Sequence, residues 1–351
     1  MTELHLWLRH ETRTTERRTP LVPSDARRLV GAGVTLTVED SPQRVFPIEA
    51  YERAGCRVAE AGSWVTAPPD AVVVGLKELP DTPAELNHRH LFFGHAYKRQ
   101  PGAAPLLRRF LAGGGALLDL EYLVDDEGRR LAAFGYWAGY LGAALAVLHH
   151  RGVLKAPLRP TSKEELDAEL AASVGELSAL VIGALGRSGR GARAAFGVAG
   201  VEPTCWDLAE TRDLDRAALL EHELMVNTVL TTRPIPPFLT DEDLDRPGRR
   251  LRTLCDVTCD AGSPLNVLPV YDTTTDWTRP VRRLRERPDL DLIAIDNLPS
   301  LLPAEASADF SAALLPPLLD FGVGGPWGRC LDRFHQGYRE LGLEEGKFHD
   351  V

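Results

Sequence analysis

The sequence predicts an α/β protein built as two doubly wound domains, and three observations carry that expectation. Short apolar runs alternate with helix-forming stretches through the first third of the chain. A polar segment, RGVLKAPLRPTSKEELDAEL, then interrupts the pattern, with prolines at its start and good helix formers at its end, in the manner of a crossover. Beyond it the alternation resumes with a glycine-rich turn, SALVIGALGRSGRG. At 351 residues and 44% hydrophobic content the chain is long enough for two domains with full cores.

Taken in order, HLWLRH reads as a strand, SDARRLVGAG as a short helix opening on a Ser cap and closing on Gly, and VTLTVED as an alternating strand. EAYERAGCRVAEAG, AVVVGLKEL, LFFGHAY, PLLRRFLAGGG and ALLDLEYL continue the rhythm, and a long alanine-rich helix begins near RRLAAFGYWAGY. In the second half the strand candidates are CWDL, ELMVNTVL, RLRTLCDVT and DLIAIDNL, and the tail from Ser307 on is helical by its apolar spacing.

Charge and composition narrow the partners. A formal net charge of -10 argues against nucleic acid or an anionic membrane and leaves a small-molecule substrate, with Arg17, Arg18, Arg129 and Arg130 candidates for a local basic cleft. The N-terminus shows no secretory pattern, and the apolar stretch at 138–148 is too short to span a bilayer, so cytoplasmic residence is expected. Five cysteines at irregular spacing fit free thiols, and no metal is expected, since Cys255 and Cys259 lack a second close pair. His88 and His90 are read as structural.

Five lysines stand against thirty-five arginines, and Lys77 and Lys98 sit just beyond strand-like runs. A strand end often carries a solvated lysine. In a chain that favours arginine, however, a retained lysine suggests proton transfer, because an ammonium can be tuned to lose its proton and a guanidinium effectively cannot. His95 three residues before Lys98 and Glu78 beside Lys77 strengthen that reading.

The run SALVIGALGRSGRG places Gly183, Gly186 and Gly189 between a strand and the helix-prone ARAAF, where a backbone can approach a pyrophosphate at a helix N-terminus. The Gly-x-x-Gly-x-x-Gly spacing differs from the commonest form, and a tight turn is the alternative. Asp207, about two dozen residues after Gly183, can accept from ribose hydroxyls and would repel a 2'-phosphate. NAD is therefore expected over NADP.

LRHETRTTERRTPLVP, EDSPQRVF, AGSWVTAP, GLKELP, FGHAYKRQPG, DLEYLVDDEGRRLAAFGYWAGY, VIGALGRSGRG, WDLAET, RRLRTLCDVTCD and IAIDNLPSLLPAEAS, spread from about Leu6 to about Phe334, resemble the NAD-dependent, lysine-forming saccharopine dehydrogenases, within the alanine dehydrogenase/transhydrogenase-like superfamily. The resemblance implies two Rossmann-like domains with the active site in the cleft between them, residues 1–135 and 311–351 handling substrate and catalysis and 136–310 binding NAD. It implies oxidation of saccharopine with NAD and water to lysine and 2-oxoglutarate, or the reverse condensation. The alternatives are an opine-type dehydrogenase of specialised metabolism joining a different amine and 2-oxo acid, and a non-catalytic NAD-binding regulatory protein. A monomer or small homo-oligomer is expected.

By the same resemblance, Lys77 is the base that takes the secondary-amine proton and His95 the acid–base group that activates water. Arg18, Arg130, Gln100, Phe134 and Thr258 join Lys77 as substrate-binding positions, and Glu78, Lys98 and Glu121 tune charge. Arg129, Gly183, Gly186, Arg187, Asp207, Thr211, Val257, Ile295, Asp296, Asn297 and Leu298 match cofactor positions. The chain departs from the family at Thr258, where serine is common, at Asn297, where histidine is common, and at Ser188 and Thr228, where fungal members carry cysteine. The aromatic cofactor contact expected near Leu230 is also missing.

Overall fold

The computed structural model describes residues 4–97, 102–231, 233–322, 324–340 and 342. The chain forms two compact units, Met1–Ala133 with Pro303–Val351, and Phe134–Leu302.

Unit 1 is a parallel sheet of β1 (His5–Leu8), β2 (Thr35–Glu39), β3 (Arg57–Ala59), β4 (Val72–Val74), β5 (Arg89–Phe92) and β6 (Ala116–Asp119) in the order β3-β2-β1-β4-β5-β6. The chain winds outward from β1 on one side and then returns to β4 on the other, so the topological switch lies between β1 and β4, where ligands of doubly wound sheets bind at the carboxyl ends of the strands. Val72, Val73 and Val74 are all buried, as a central parallel strand requires. Glu39 closes β2 and is wholly buried; its carboxylate accepts from Trp7 Nε1 at 3.0 Å and from the amides of His10, Gly62 and Trp64 at 2.8, 2.8 and 2.5 Å.

Helices α1 (Pro23–Gly31), α2 (Ile48–Glu52) and α3 (Ala103–Gly113) connect these strands. The expected Ser cap of α1 is not used: the helix opens on Pro23 with Val22 at the cap position, and Ser24 lies inside it. Pro is favoured there because its missing amide would be an orphan anyway. The neighbouring polar groups are met from elsewhere in the unit, Ser311 Oγ accepting from Val22 N at 3.0 Å and donating to Asp25 at 2.6 Å.

Unit 2 carries β7 (Ala179–Ile182), β8 (Thr204–Trp206), β9 (Leu224–Asn227), β10 (Thr253–Asp256), β11 (Arg282–Glu286) and β12 (Asp289–Ile293), ordered β11-β12-β10-β9-β7-β8. All neighbours pair in parallel except β11, an antiparallel edge strand that sequence patterning missed because RRLRE lacks an apolar alternation. Its helices are α4 (Gly135–His150), α5 (Lys163–Ala172), α6 (Arg187–Val198) and the short α7 (Leu208–Arg212), α8 (Arg216–Leu220) and α9 (Asp241–Leu244). Helix α5 carries the capping box its SKEE sequence promises, Ser162 with Glu165. Helices α4 and α6 approach backbone to backbone, because a Cβ on Gly139 would stand 1.8 Å from the Ser188 carbonyl and one on Gly191 1.9 Å from that of Tyr136. The chain then returns to unit 1 as α10 (Pro303–Leu319) and α11 (Gly325–Glu340). Phe334 and Tyr338 of α11 join the core around Phe92, Leu107 and Phe110.

Candidate active site

In unit 1 the chemistry-bearing side chains collect at the carboxyl ends of β1, β4, β5 and β6. The segment after β1 supplies Glu11, Arg13, Glu16 and Arg18; Lys77 and Glu78 follow β4; His95 follows β5; Glu121 and Arg130 follow β6. A parallel order of β1-β4-β5-β6 is what gathers four stretches so far apart in sequence.

Acids and arginines are matched there pair by pair. Arg13 donates to Glu78 Oε1 from Nε at 3.0 Å and Nη2 at 2.8 Å. Arg18, read from sequence as a carboxylate holder, is 5% exposed and forms a two-pronged pair with Glu16, at 2.8 and 2.5 Å. Arg130 donates to Glu121 Oε1 at 2.7 Å, while Glu121 Oε2 lies 3.5 Å from Nδ1 of His95. His95 adopts φ 49°, a left-handed conformation that few non-glycine residues hold.

The acids differ in electrostatic setting. Burial opposes ionisation of Glu16, but the Arg18 guanidinium and the Lys77 ammonium outweigh it and hold the carboxyl below its ordinary range. Burial likewise opposes ionisation of Glu78, and its own backbone amide, Arg13 and Lys77 together pull it down. Asp119, at the end of β6, goes the other way: burial pushes it up to about 6, with the Glu121 charge adding to the rise and the Glu121 amide and His95 opposing it. Its Oδ1 accepts from the Glu121 amide at 2.9 Å. Glu11, Glu16 and Asp119 were not among the sequence candidates; Asp119 closes the strand-like run ALLD and offered the strand-end signal that singled out Glu78 and Glu121, whereas Glu11 and Glu16 lie in a charge run that offered none.

Arg129 sits on an exposed turn with its guanidinium taken up by Asp125 at 2.8 Å and Glu127 at 2.9 Å. Lys98 and Gln100 lie outside the described residues.

Unit 2 presents the features a dinucleotide needs. Gly183 ends β7 with φ +83°, a conformation that a side chain would strain. Gly186 precedes α6 and makes no side-chain cap, and Arg187 opens that helix, so no N-cap side chain occupies its first-turn amides. A Cβ on Gly189 would stand 2.1 Å from the Gly183 carbonyl. Asp207 follows β8 and accepts from Leu185 N of the glycine turn at 2.9 Å and from Leu208 N at 2.9 Å, while Thr211 Oγ1 donates to the Asp207 carbonyl at 2.8 Å. The residues fit NAD: an open turn for the pyrophosphate and a partly exposed carboxylate beside it for the ribose.

The other unit 2 positions that the resemblance marks for cofactor and substrate, Phe134 apart, gather near the ends of β10 and β12. Asp256 is wholly buried and accepts from Asn227 Nδ2 at 3.0 Å, Tyr271 Oη at 2.6 Å, and Thr258 N and Oγ1 at 3.0 and 2.7 Å. It thereby fixes the Val257–Thr258 turn, a supporting role the sequence did not reveal. Ile295, Asn297 and Leu298 are buried and Asp296 is exposed, with Asn297 in a left-handed conformation at φ 69°. Phe134 sits at the cap position of α4.

The alanine dehydrogenase/PNT N-terminal domain model matches residues 7–141. The chain is 41% identical to the NAD(+)-dependent, L-lysine-forming saccharopine dehydrogenase of Schizosaccharomyces pombe, over 90% of this chain and 92% of that protein. It is also 41% identical to the enzyme of the same name from Neurospora crassa, over 94% and 95% of the two chains. Among solved structures, an L-alanine dehydrogenase superposes with a TM-score of 0.70 at 17% identity over 95% of this chain and 94% of that one. A transhydrogenase from Sinorhizobium meliloti gives 0.66 at 17% identity over 90% and 93%. The structural likenesses speak for the fold; the sequence identity over nearly the whole length decides the family. The chain belongs to the NAD-dependent, lysine-forming saccharopine dehydrogenases.

Proposed function

We propose that the protein oxidises saccharopine with NAD and water to lysine and 2-oxoglutarate, or runs the reverse condensation, and that Lys77 and His95 carry its proton transfers. The observation that carries the reading is Lys77 at the topological switch of unit 1, with the carboxylates of Glu16 and Glu78 close enough to feel its charge. A secondary amine is protonated near neutral pH, and the adjacent carbon cannot release hydride until that proton leaves; Lys77 takes it. NAD, held by Gly183, Gly186, Arg187 and Asp207, supplies the hydride acceptor when bound. His95, oriented by Glu121, takes a proton from the water that adds to the substrate imine and returns one to the departing amine. Arg130, part-exposed and held by Glu121, holds a substrate carboxylate in this reading.

Glu16, Glu78 and Glu121 keep the site near charge balance, so that the base is neither locked in its protonated form nor stripped of it. The five free cysteines fit residence in a reducing compartment, the cytoplasm, where the enzyme would act as a monomer or small homo-oligomer. No helix among the described residues is long and apolar enough to cross a membrane.

The test is NADH oxidation with 2-oxoglutarate and a panel of amines headed by lysine. Turnover on lysine that Lys77→Met abolishes supports the reading; turnover on another amine alone, or none on any, sinks it.

A further inference from the structure

We propose that Glu11 and Arg9 are positioning residues for Lys77, forming a charge-neutral clamp on the backbone on either side of its α-carbon, Glu11 at the amide and Arg9 at the carbonyl. The inference rests on the reading of Lys77 as the base. Strand β4 ends at Val74, three residues before the amine-bearing residue, so sheet pairing alone does not reach Lys77. Pairing does extend a little further: Arg9 N donates to the Val74 carbonyl at 2.9 Å, Gly75 N to Leu91 O at 2.9 Å, and Phe93 N to Leu76 O at 3.1 Å. From there two side chains take over. Glu11 Oε1 accepts from Leu76 N at 2.6 Å and Oε2 from Lys77 N at 3.1 Å, while Arg9 Nη2 donates to the Lys77 carbonyl.

The clamp is itself held. Arg9 Nη1 lies 3.3 Å from Glu11 Oε2 and donates to His10 O at 3.1 Å, and its guanidinium sits 5.8 Å from the centre of the Phe92 ring. Arg9 is 2% and Glu11 5% exposed. Gly75 makes room for this arrangement, since a Cβ there would stand 2.3 Å from Arg9 Nε. A buried ion pair grips a backbone firmly and adds no net charge beside a residue that must change its own protonation state. Around the amine stand Glu16 with Arg18, and Glu78 with Arg13, which are likewise matched. Replacing the Glu11 carboxylate with an amide therefore does two things at once: it leaves a single oxygen to accept from the Leu76 and Lys77 amides, so that at least one of them is freed, and it leaves the Arg9 cation uncompensated next to Lys77.

Glu11→Gln tests both effects in the full-length enzyme. Hydrogen exchange reads the amides of Leu76 and Lys77. Competitive acylation across a pH series reads the protonation midpoint of Lys77 against Lys155, whose side chain is 85% exposed. In Glu11→Gln we expect exchange at one or both of these amides to rise at least about tenfold and the Lys77 midpoint to fall by about half a pH unit or more. Turnover should drop roughly tenfold or more with the KM for NAD changed less than about twofold. Gly75→Ala, which displaces Arg9 and so takes from Glu11 the partner that orients its carboxylate, should show the same faster exchange and lower turnover, and it serves where Glu11→Gln does not fold.

A fall in melting temperature with unchanged exchange at Leu76 and Lys77 and an unchanged midpoint would overturn the proposal. So would freed amides with normal turnover. If instead Lys77→Met retains full turnover, the base assignment fails, while the exchange measurement still reports whether the clamp exists.

Discussion

Arg18 and Glu16 face each other as a buried pair with two parallel hydrogen bonds, Nε to Oε1 at 2.8 Å and Nη2 to Oε2 at 2.5 Å. Taking one partner away strands a charge in a dry place. Arg18→Ala should therefore lower stability by about 3–5 kcal/mol in urea titration, whereas Arg18→Met combined with Glu16→Leu should recover most of that loss. The pair also has a pH signature. Because the folded state holds the Glu16 carboxyl below its ordinary value of 4.5, its contribution is present above pH 4.5 and disappears as pH falls through the folded value. Glu16→Gln should flatten the acid limb of the stability curve.

Lys77→Arg keeps the charge and most of the reach of the native side chain but cannot surrender a proton. It should lose about 10²–10⁴-fold in kcat, as much as Lys77→Met, because a base is missing in both. A steady-state comparison of the two variants at pH 7 to 9 checks this. An arginine variant with more than a tenth of native kcat would contradict the proton-transfer role.

Asp119 titrates at about 6 in the folded protein, above its ordinary 3.8. The folded state thus binds this proton more tightly than the unfolded chain, and stability falls as pH rises between those two values. Asp119→Asn should be more stable than the parent above pH 7, with a ceiling of about 3 kcal/mol, and the advantage should vanish below pH 4. Thermal melts at pH 4, 6 and 8 decide it.

His90 is wholly buried among Trp64, Phe92 and Phe110, with ring centroids at 5.2, 6.4 and 5.4 Å. Burial drives its pKa well below 6.5, with the Arg9 charge adding to the fall. Below pH 6.5 the unfolded chain takes up a proton that the folded protein refuses, which costs roughly 1.4 kcal/mol per pH unit until the folded value is reached. His90→Leu should lose less stability than the parent between pH 6.5 and 5; equal losses would mean that the folded state accommodates the imidazolium.

Asp207→Ala should raise the KM for NAD by about 10–100-fold, in line with 1–3 kcal/mol for charge-assisted hydrogen bonds, and leave the KM for 2-oxoglutarate nearly unchanged. An unchanged KM for NAD would remove Asp207 from the ribose site.

Much of this was open to reading in the sequence, for reasons that differ by residue. The strands around AVVVGLKEL and SALVIGALG declare themselves by apolar runs ended by glycine, and Lys77 stands out as a lysine retained in a chain that favours arginine. Glu11 and Glu16 were hidden because ETRTTERR looks like a solvated charge run, and only the sheet order β1-β4 turns it inward beside Lys77. Asp256 was hidden because a strand-end acid does not announce that an asparagine, a tyrosine and a threonine will fill its oxygens. Strand β11 lacked any signal, since an exposed antiparallel edge tolerates the charges of RRLRE.

In each sheet an acid stands at the carboxyl end of the second strand, beside the first strand: Glu39 closes β2, and Asp207 directly follows β8. Glu39 has four donors of its own unit packed around its two oxygens and sees no solvent, whereas Asp207 remains partly open. A carboxylate already saturated by indole and amide N–H groups has nothing to give a sugar. One architecture thus serves two trades: in the first sheet the acid is a keystone for the loops of the proposed proton chemistry, and in the second it is the open acid of the proposed ribose site. Grafting a glycine turn onto β1 would not create a second dinucleotide site, because the hydroxyls would arrive at an acid whose valences are full.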